Sequence, residues 1–434
     1  MKKLLIRAED KNIWERRAPL IPDDVCSIIK DSGAEIFIEK SKKRFFTESA
    51  YVKAGAELVD DMESGDVIFG VKEIPVEKLL DNKIYGFFSH TIKKQKENMP
   101  MLKRIISGNS TLIDYEKITD SNNKRQVYFG NFAGDAGAIN ILWLMGQYWR
   151  YKKIRTPFEA CRQALEYFSV EEAKSHLSEI GQKISKDGFP QSIQPLVIAI
   201  LGYGNVSKGA QSILDCLPII RIEPSELPVL FQQENSSSNH IYLTVFREMD
   251  LVESKTGAPF NLEEYYNYPH KFQSVFQKYL PYISIIINAI FWDQRYPKFV
   301  TWDALQNLYK VYAEPKLQGI ADITCDINGS IECNVRTTDS GEPAYLVNPI
   351  TKKISEGHQG EGIVTMTVDN LPAELPNDAS VFFSSQLVKY TSNILKADYT
   401  TRLRESGLHP DVQKAVIVYR GELTADYKYL QDHL

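Results

Sequence analysis

The stretch Leu196-Val-Ile-Ala-Ile-Leu-Gly202-Tyr-Gly204-Asn-Val-Ser207-Lys-Gly209-Ala210 decides the fold of this chain. Its apolar run predicts a buried parallel strand, and the residues from about Val206 predict a helix. Gly202 permits a tight turn, Gly204 lets the backbone approach a pyrophosphate, and Ser207 is small enough for close packing. The helix start, at Asn205 and Val206, would direct backbone amides at that phosphate. The stretch predicts a dinucleotide site, with an ordinary strand–turn–helix unit as the alternative.

A second strand is predicted at residues 219–223, and it ends in charged side chains. Glu223 lies about 20 residues beyond Gly202, where a carboxylate commonly binds the adenosine ribose and favours NAD. Arg221 could instead meet a 2′-phosphate and favour NADP. The residues point both ways, and either one could be a solvated charge at a strand end.

Bulk composition excludes several classes of protein. A chain of 434 residues predicts two domains, and 43% hydrophobic with 25% charged residues is typical of a soluble globular protein. A net charge of −5 is not typical of nucleic-acid-binding proteins, which carry an excess of positive charge. No apolar segment approaches the ~20 residues of a membrane span, and the first residues do not resemble a signal peptide. The five cysteines form no CxxC pair, which predicts reduced thiols, a cytoplasmic location and no metal site.

The N-terminal part alternates strands with helices. Strands are predicted at residues 4–7, 36–38, 66–71, 84–88 and 111–113, and helices at 22–31 and 100–107. This order predicts a parallel sheet with helical crossovers.

Titratable side chains follow three of these strands: Lys72 and Glu73 follow the first, His90 the second, and Asp114, Tyr115 and Glu116 the third. Each could singly be an exposed charge or a capping residue. Together they predict a site, because the carboxyl ends of parallel strands share one edge of a sheet. Histidine and lysine are suited to proton transfer near neutral pH when burial tunes them.

Two arginines are candidates for binding carboxylates. Arg17 lies in the loop that enters the first helix, and Arg125 follows the strand at 111–113. Arginine suits bidentate capture of a carboxylate, although a solvated charge is an equal alternative at both positions.

The remaining segments complete the expected topology. A glycine-containing helix is predicted from about residue 129 to 148 as a crossover, a polar surface loop at 232–239, and strands at 241–246, 282–290 and 320–323. Asn288 and Ile290 end one strand, where a nicotinamide would lie, and Asp322 and Asp326 follow another. The turn at 369–376, which contains Asn370, predicts a return crossing that leads to a helix at 379–394 and a charged tail.

The predicted fold class is α/β, with two Rossmann-like domains, parallel sheets and an active-site cleft between them. Residues 1–138 would begin a substrate-binding domain, 139–376 would form the dinucleotide-binding domain, and 377–434 would return to the substrate domain and end in a tail.

Several motifs carry a family resemblance along almost the whole chain. They are Trp14-Glu-Arg-Arg-Ala-Pro-Leu, Gly70-Val-Lys, Phe87-Phe-Ser-His-Thr-Ile-Lys93, Leu112-Ile-Asp-Tyr-Glu-Lys117, Gly202-x-Gly-Asn-Val-Ser-Lys-Gly-Ala210, Gly329-Ser-Ile-Glu332 and Asp369-Asn-Leu-Pro-Ala-x-Leu-Pro376. They resemble the lysine–ketoglutarate reductase domain of aminoadipic semialdehyde synthase, a saccharopine dehydrogenase of the lysine-forming type. More distantly the chain resembles fungal lysine-forming saccharopine dehydrogenase and alanine dehydrogenase.

The resemblance implies a reaction in which L-lysine, 2-oxoglutarate and a reduced nicotinamide cofactor give saccharopine and water, reversibly. Lys72 and His90 match the family's acid–base pair, and Glu73 and Glu116 match carboxylates that balance the local charge. Arg17 and Arg125 match arginines that hold substrate carboxylates. Asp326 matches the aspartate beside the nicotinamide in alanine dehydrogenases. The chain would correspond to the reductase half alone.

The resemblance to animal and plant reductases favours NADP(H), with NAD(H) as the alternative. Two other functions are considered: another amino-acid dehydrogenase of the alanine dehydrogenase type, and a non-catalytic dinucleotide-binding homologue. The expected partners are L-lysine, 2-oxoglutarate and saccharopine, with no nucleic acid and no membrane. The sequence leaves the oligomeric state open, a homodimer being one arrangement that it allows.

Overall fold

The computed structural model describes residues 1–232 and 237–434. Four residues of the polar loop predicted at 232–239 therefore lie outside the described part of the chain. The chain divides into two compact units: unit 1 comprises Met1–Gly130 and Pro376–Leu434, and unit 2 comprises Asn131–Leu375. The boundary predicted at 138/139 falls inside a helix that belongs to unit 2.

The strands of the described residues are numbered in chain order. They are β1 (Leu4–Ile6), β2 (Ile36–Glu39), β3 (Glu57–Val59), β4 (Val67–Phe69), β5 (Ile84–Phe87), β6 (Thr111–Asp114), β7 (Val197–Leu201), β8 (Ile219–Arg221), β9 (Ile241–Phe246), β10 (Val252–Ser254), β11 (Phe272–Ser274), β12 (Ile285–Asn288), β13 (Gly319–Asp322), β14 (Ala344–Val347), β15 (Ile354–Glu356), β16 (Ile363–Met366), β17 (Val416–Tyr419) and β18 (Glu422–Leu423).

The α-helices are numbered in the same way. They are α1 (Pro22–Ser32), α2 (Glu48–Lys53), α3 (Met99–Ser107), α4 (Phe132–Tyr151), α5 (Val170–Asp187), α6 (Asn205–Leu214), α7 (Leu227–Leu230), α8 (Glu248–Leu251), α9 (Leu262–Asn267), α10 (Trp302–Val311), α11 (Pro376–Lys396) and α12 (Pro410–Gln413).

Unit 1 contains an eight-stranded sheet in the order β18-β17-β6-β5-β4-β1-β2-β3. The strands from β6 to β3 are parallel to their neighbours, as the alternation of strands and helices predicts. The C-terminal segment, which was predicted to be a charged tail, instead contains a buried strand. It supplies β17, whose Val-Ile-Val run is buried and pairs antiparallel with β6, so the sheet is mixed.

Unit 2 contains a second eight-stranded sheet in the order β15-β14-β16-β13-β12-β7-β9-β8. Its six strands from β16 to β8 are parallel, whereas β14 and β15 are antiparallel additions at one edge. Apolar clusters cover both faces of the sheet, so all five residues of β7 are fully buried. The third strand in sequence, β9, lies between β7 and β8.

Helices α4 and α6 pack closely through glycines. A Cβ atom at Gly134 would lie 1.8 Å from the backbone oxygen of Val206, and one at Gly209 would lie 2.3 Å from that of Asn131. Any larger side chain would force the two helices apart. The prediction that the glycines of this segment serve close packing is confirmed.

Candidate active site

The glycine-rich turn joins β7 to α6 within unit 2. Gly202 has a φ of +94°, and a Cβ atom there would lie 3.0 Å from the oxygen of Ala289. Only glycine adopts this conformation without strain at so close an approach. Gly204 faces open space, with no heavy atom within 4 Å of its Cβ position. The turn therefore has the shape that a pyrophosphate requires, at the N-terminus of the ten-residue helix α6.

A cavity of about 750 Å³ lies against this turn. It is lined by Gly202–Val206, by Ala289–Trp292 beyond β12, and by Thr324 and Asp326 beyond β13. The predicted cofactor residues Gly202, Gly204, Asn205, Val206, Ile290 and Asp326 thus share one cavity of unit 2. The cavity wall also includes Glu248 and several aromatic side chains that the sequence analysis did not select: Tyr265, Tyr266, Phe291 and Tyr296.

Five other predicted cofactor residues do not line this cavity: Ser207, Asn288, Asn370, Arg221 and Glu223. Ser207 is fully buried, and its Oγ accepts a hydrogen bond from Gln211 Nε2 at 3.0 Å. Asn288 is buried at the end of β12, where its amide donates to Asp322 Oδ1 at 2.8 Å. Asn370 has a left-handed backbone with a φ of +71° and precedes a short turn. Ser207 and Asn288 therefore contribute to the packing behind the cavity.

Burial raises the pKa of Asp322, although hydrogen bonds from Asn334, Thr324 and Asn288 oppose the shift. This polar network holds the carboxyl ends of β12 and β13 together, since Asn288 and Asp322 are paired in the sheet register. Asp322 thus fixes the end of β13, four residues before Asp326.

The structure places Arg221 and Glu223 away from the glycine-rich turn. Strand β8 is at the outer edge of the sheet, and β9 separates it from β7. The exposed Arg221 guanidinium donates to Gln211 Oε1 at 2.8 Å and to Asp215 Oδ1 at 2.6 Å. Glu223 is exposed and begins a short helical turn. The spacing argument for these two residues fits a strand that lies next to β7, whereas β9 takes that place, so their selection of the cofactor stays a prediction.

Lys72 lies in unit 1, just beyond the carboxyl end of β4. Its backbone N–H donates to Glu9 Oε2 at 3.0 Å, and the Val71 N–H donates to Glu9 Oε1 at 2.7 Å. Burial, together with the positive charge of Arg17, lowers the pKa of the Lys72 amine, against the opposing effects of Glu15 and Glu73. A lysine in this environment is a better proton acceptor near neutral pH than an exposed one.

His90 lies beyond the end of β5 and has a left-handed backbone with a φ of +51°. Its Nδ1 and Glu73 Oε1 form a hydrogen bond. Burial alone would raise the pKa of Glu73, but the hydrogen bond and charge of His90 outweigh it and lower the pKa to about 2. The buried Glu73 Oε2 accepts no hydrogen bond from the described residues, and Lys11 Nζ lies 3.6 Å away from it.

Glu116 and Arg125 form the third part of this edge. The Arg125 Nη1 atom lies 4.0 Å from Glu116 Oε1, and its guanidinium carbon lies 5.2 Å from the centre of the Phe88 ring. Burial lowers the pKa of Arg125, while Glu116 opposes the shift. Because β4, β5 and β6 are adjacent and parallel, their carboxyl ends bring Lys72, His90 and Glu116 to one edge of the sheet.

Arg17 is only 2% exposed and already has an acidic partner. Its Nε donates to Glu15 Oε1 at 2.8 Å and its Nη2 donates to Glu15 Oε2 at 2.6 Å. The guanidinium also lies 4.0 Å above the Phe129 ring. Arg17 was predicted from the sequence, whereas Glu15 and Glu9 were not, although Glu9 follows β1 as Lys72 follows β4. That position was the signal that could have found it.

The described residues contain no group of three or more His, Cys, Asp or Glu side chains arranged to hold a metal ion. None of the helices in the described ranges is both long and apolar enough to cross a membrane.

Two protein-family models match the chain, and the second match includes residues of both units. Residues 5–136 match the family "Alanine dehydrogenase/PNT, N-terminal domain", and residues 262–426 match "Alanine dehydrogenase/PNT, C-terminal domain". The chain belongs to the alanine dehydrogenase/PNT family. The family resemblance drawn from the sequence motifs is thereby confirmed.

Curated relatives are similar over nearly the whole chain. Alpha-aminoadipic semialdehyde synthase of Arabidopsis thaliana is 36% identical over 442 residues, covering 98% of this chain and 41% of that protein. The mitochondrial synthase of Bos taurus is 37% identical over 441 residues, covering 99% and 47%. This chain thus spans less than half the length of these relatives. The saccharopine dehydrogenase (NAD(+), L-lysine-forming) of Emericella nidulans is 26% identical over 399 residues, covering 89% and 90%.

Solved structures show the same fold. An L-alanine dehydrogenase superposes with a TM-score of 0.62 at 16% identity, covering 99% of this chain and all of that one. A transhydrogenase from Sinorhizobium meliloti superposes with a TM-score of 0.55 at 12% identity, covering 98% of this chain. The two-domain Rossmann-like fold predicted from the sequence is confirmed. This fold supports binding of NAD(H) or NADP(H) in general, without distinguishing between them.

Proposed function

We propose that this chain condenses L-lysine with 2-oxoglutarate and reduces the resulting imine with a nicotinamide dinucleotide to give saccharopine. The observation that carries the proposal is the group at the carboxyl ends of β4 and β5. A half-buried lysine with a lowered pKa lies there beside a histidine–glutamate pair. Relatives of this chain are named for saccharopine or aminoadipic semialdehyde chemistry.

The reaction requires proton transfers that Lys72 and His90 can carry out. The ε-ammonium of the substrate lysine must lose a proton before its nitrogen attacks the keto carbon. The hydroxyl of the carbinolamine must then gain a proton and leave as water. We assign these transfers to Lys72 and His90, and we assign Glu73 to holding the His90 ring in place. The dinucleotide supplies the hydride that reduces the imine.

Glu73 and Glu116 balance the charges that gather at this edge. Glu73 Oε2 lacks a hydrogen-bond donor among the described residues, so it can accept one from an ammonium group of the substrate. Arg125 is half-exposed and, in our proposal, binds a substrate carboxylate. Arg17 is also predicted to bind a substrate carboxylate. Its guanidinium already donates two hydrogen bonds to Glu15, so the substrate and Glu15 would both accept hydrogen bonds from it.

We assign substrate binding to unit 1 and dinucleotide binding to unit 2. In unit 2 the backbone of Gly202, Gly204, Asn205 and Val206 would hold the pyrophosphate, and Asp326 and Ile290, which line the same cavity, would contact the nicotinamide. Ser207 and Asn288 support these segments from behind, and contact between Asn370 and the dinucleotide stays a prediction. A homodimer and a cytoplasmic location stay predictions, to be checked by light scattering and by cell fractionation.

The choice between NADP(H) and NAD(H) is a separate proposal. The resemblance to plant and animal reductases favours NADP(H). Glu248, a carboxylate that lines the cavity beside the glycine-rich turn, favours NAD(H). On that ground we propose NAD(H) as the cofactor.

The test is spectrophotometric. Purified protein is mixed with lysine, 2-oxoglutarate and either NADH or NADPH, with each substrate omitted in turn, and absorbance of the reduced nicotinamide is followed. We expect oxidation only when both substrates are present. Oxidation supported by pyruvate and ammonia would favour an alanine dehydrogenase-type enzyme. Dinucleotide binding without any turnover would favour the non-catalytic homologue.

A further inference from the structure

The strand order of unit 2 identifies which residues lie beside the glycine-rich turn. Leu201 at the end of β7 is paired with Phe246 at the end of β9. The Gly202 N–H donates to the Phe246 carbonyl oxygen at 2.9 Å. Arg247 and Glu248 therefore follow the strand that is in direct contact with the turn, although they are about 45 residues from Gly202 in sequence. Neighbouring strands are about 4.8 Å apart, so β8 is about twice as far from β7 as β9 is.

Glu248 has the position and the fixed geometry of a ligand-binding carboxylate. It lines the same cavity as Gly202, Gly204 and Asn205. Its Oε1 accepts a hydrogen bond from the Tyr266 hydroxyl at 2.7 Å and a longer one from the Tyr203 hydroxyl at 3.5 Å. Both bonds end on Oε1, so Oε2 is left without a donor among the described residues. Two tyrosines thus hold the carboxylate in place while one oxygen stays available to a ligand.

We propose that Glu248 binds the adenosine ribose hydroxyls of the dinucleotide and thereby selects NAD(H) over NADP(H). The inference rests on the proposed function only in that unit 2 binds a nicotinamide dinucleotide. A carboxylate accepts hydrogen bonds from the 2′- and 3′-hydroxyls, and it repels a 2′-phosphate because both groups are negative at neutral pH.

The neighbouring Arg247 does not reverse this preference. Arg247 is exposed and is not among the described residues that line the cavity, whereas Glu248 is half-buried and does line it. Its backbone N–H donates to Asp250 Oδ2 at 2.9 Å, which fixes the start of α8. A 2′-phosphate in this cavity would therefore meet the carboxylate of Glu248 first.

The experiment measures binding rather than turnover. The full chain is titrated with NADH and with NADPH, and the fluorescence of the bound nicotinamide gives each dissociation constant. Variants Glu248→Gln and Glu248→Ser remove the charge, and Glu248→Asp keeps it on a shorter side chain. Glu223→Gln is the matched control, because it removes an exposed carboxylate from the end of the neighbouring strand β8. Circular dichroism and thermal unfolding confirm that each variant is folded.

We expect the parent protein to bind NADH at least about tenfold more tightly than NADPH, which is the effect of a charge-assisted hydrogen bond. Glu248→Gln and Glu248→Ser should lower this ratio about tenfold or more, and Glu223→Gln should leave it unchanged. NADPH binding as tight as NADH binding in the parent, or a ratio unchanged by both neutral variants, would overturn the inference. If the ratio of the NADPH and NADH dissociation constants changed in Glu223→Gln instead, Glu223 beyond β8 would be the residue that selects the cofactor, and the inference would be wrong.

The same titration separates this inference from the proposed function. Tight and Glu248-dependent NADH binding without any saccharopine formation would contradict the proposed reaction and support the role of Glu248. Absence of binding to either dinucleotide would refute both.

Discussion

Replacing Glu73 with glutamine tests whether the histidine–glutamate pair is as strong as the structure indicates. The Glu73 carboxylate is 16% exposed and is hydrogen-bonded to His90 Nδ1. Burial opposes ionisation, yet the His90 hydrogen bond and charge lower the pKa from 4.5 to about 2. That difference corresponds to about 3 kcal/mol of stabilisation of the charged carboxylate in the folded state. Glu73→Gln keeps the shape of the side chain and removes its charge.

The sign of the pH dependence follows from the lowered pKa. The carboxyl is more acidic in the folded protein than in the unfolded chain, so its contribution is complete above the unfolded value of 4.5 and declines as the pH falls towards 2. The free energy of unfolding should therefore be lower in Glu73→Gln by about 3 kcal/mol at pH 7 and by about 2 kcal/mol near pH 3.5.

Urea unfolding followed by circular dichroism and by tryptophan fluorescence measures this difference. Glu35→Gln is the control: Glu35 also pairs with a cation in unit 1, Lys3 at 2.9 Å, but it is 64% exposed. Water screens such a pair, so this variant should change stability far less than Glu73→Gln. Equal effects of the two variants, or a Glu73→Gln effect that does not shrink between pH 7 and pH 3.5, would refute the reasoning.

Three further predictions concern other parts of the chain. Lys72→Met should lower turnover by ~10²–10⁴-fold in steady-state assays, because it removes a proton-transfer group; unchanged turnover would contradict that role. Gly202→Ala should abolish dinucleotide binding in the fluorescence titration, since its Cβ would lie 3.0 Å from the Ala289 oxygen at a φ of +94°. Burial raises the pKa of Glu374 to about 7. Its contribution to stability is therefore present below 4.5 and lost as the pH rises through 7, so Glu374→Gln should gain stability over the parent between pH 5 and pH 8 in thermal unfolding.

The edge formed by β4, β5 and β6 could be predicted from the sequence because each strand is a short apolar run with a titratable residue just beyond it. Successive strands joined by crossovers usually lie side by side, so their ends converge. Lys72, His90 and Glu116 follow that rule. The contact between Glu9 and the backbone of Lys72 could not be predicted, because 63 residues separate the two and only the pairing of β1 with β4 brings them together.

The position of Glu248, the carboxylate that we propose for ribose binding, could not be predicted from sequence spacing. The glycine-rich turn is local, since Gly202 and α6 are adjacent in sequence, and the motif therefore identifies it. The strand beside β7 is set by pairing over a long range, and β9 rather than β8 takes that place. The buried strand β17 was missed for a related reason: its four residues are surrounded by charged segments, and its burial depends on pairing with β6.

Labelled lysine tests the central claim most directly. The protein is incubated with L-lysine carrying ¹⁵N at the ε-amine, 2-oxoglutarate and a reduced dinucleotide, and the product is analysed by mass spectrometry. The account predicts saccharopine that retains the ε-¹⁵N as its secondary amine, with one dinucleotide oxidised for each molecule formed. Dinucleotide oxidation without saccharopine, or with the label released as ammonia, would contradict it.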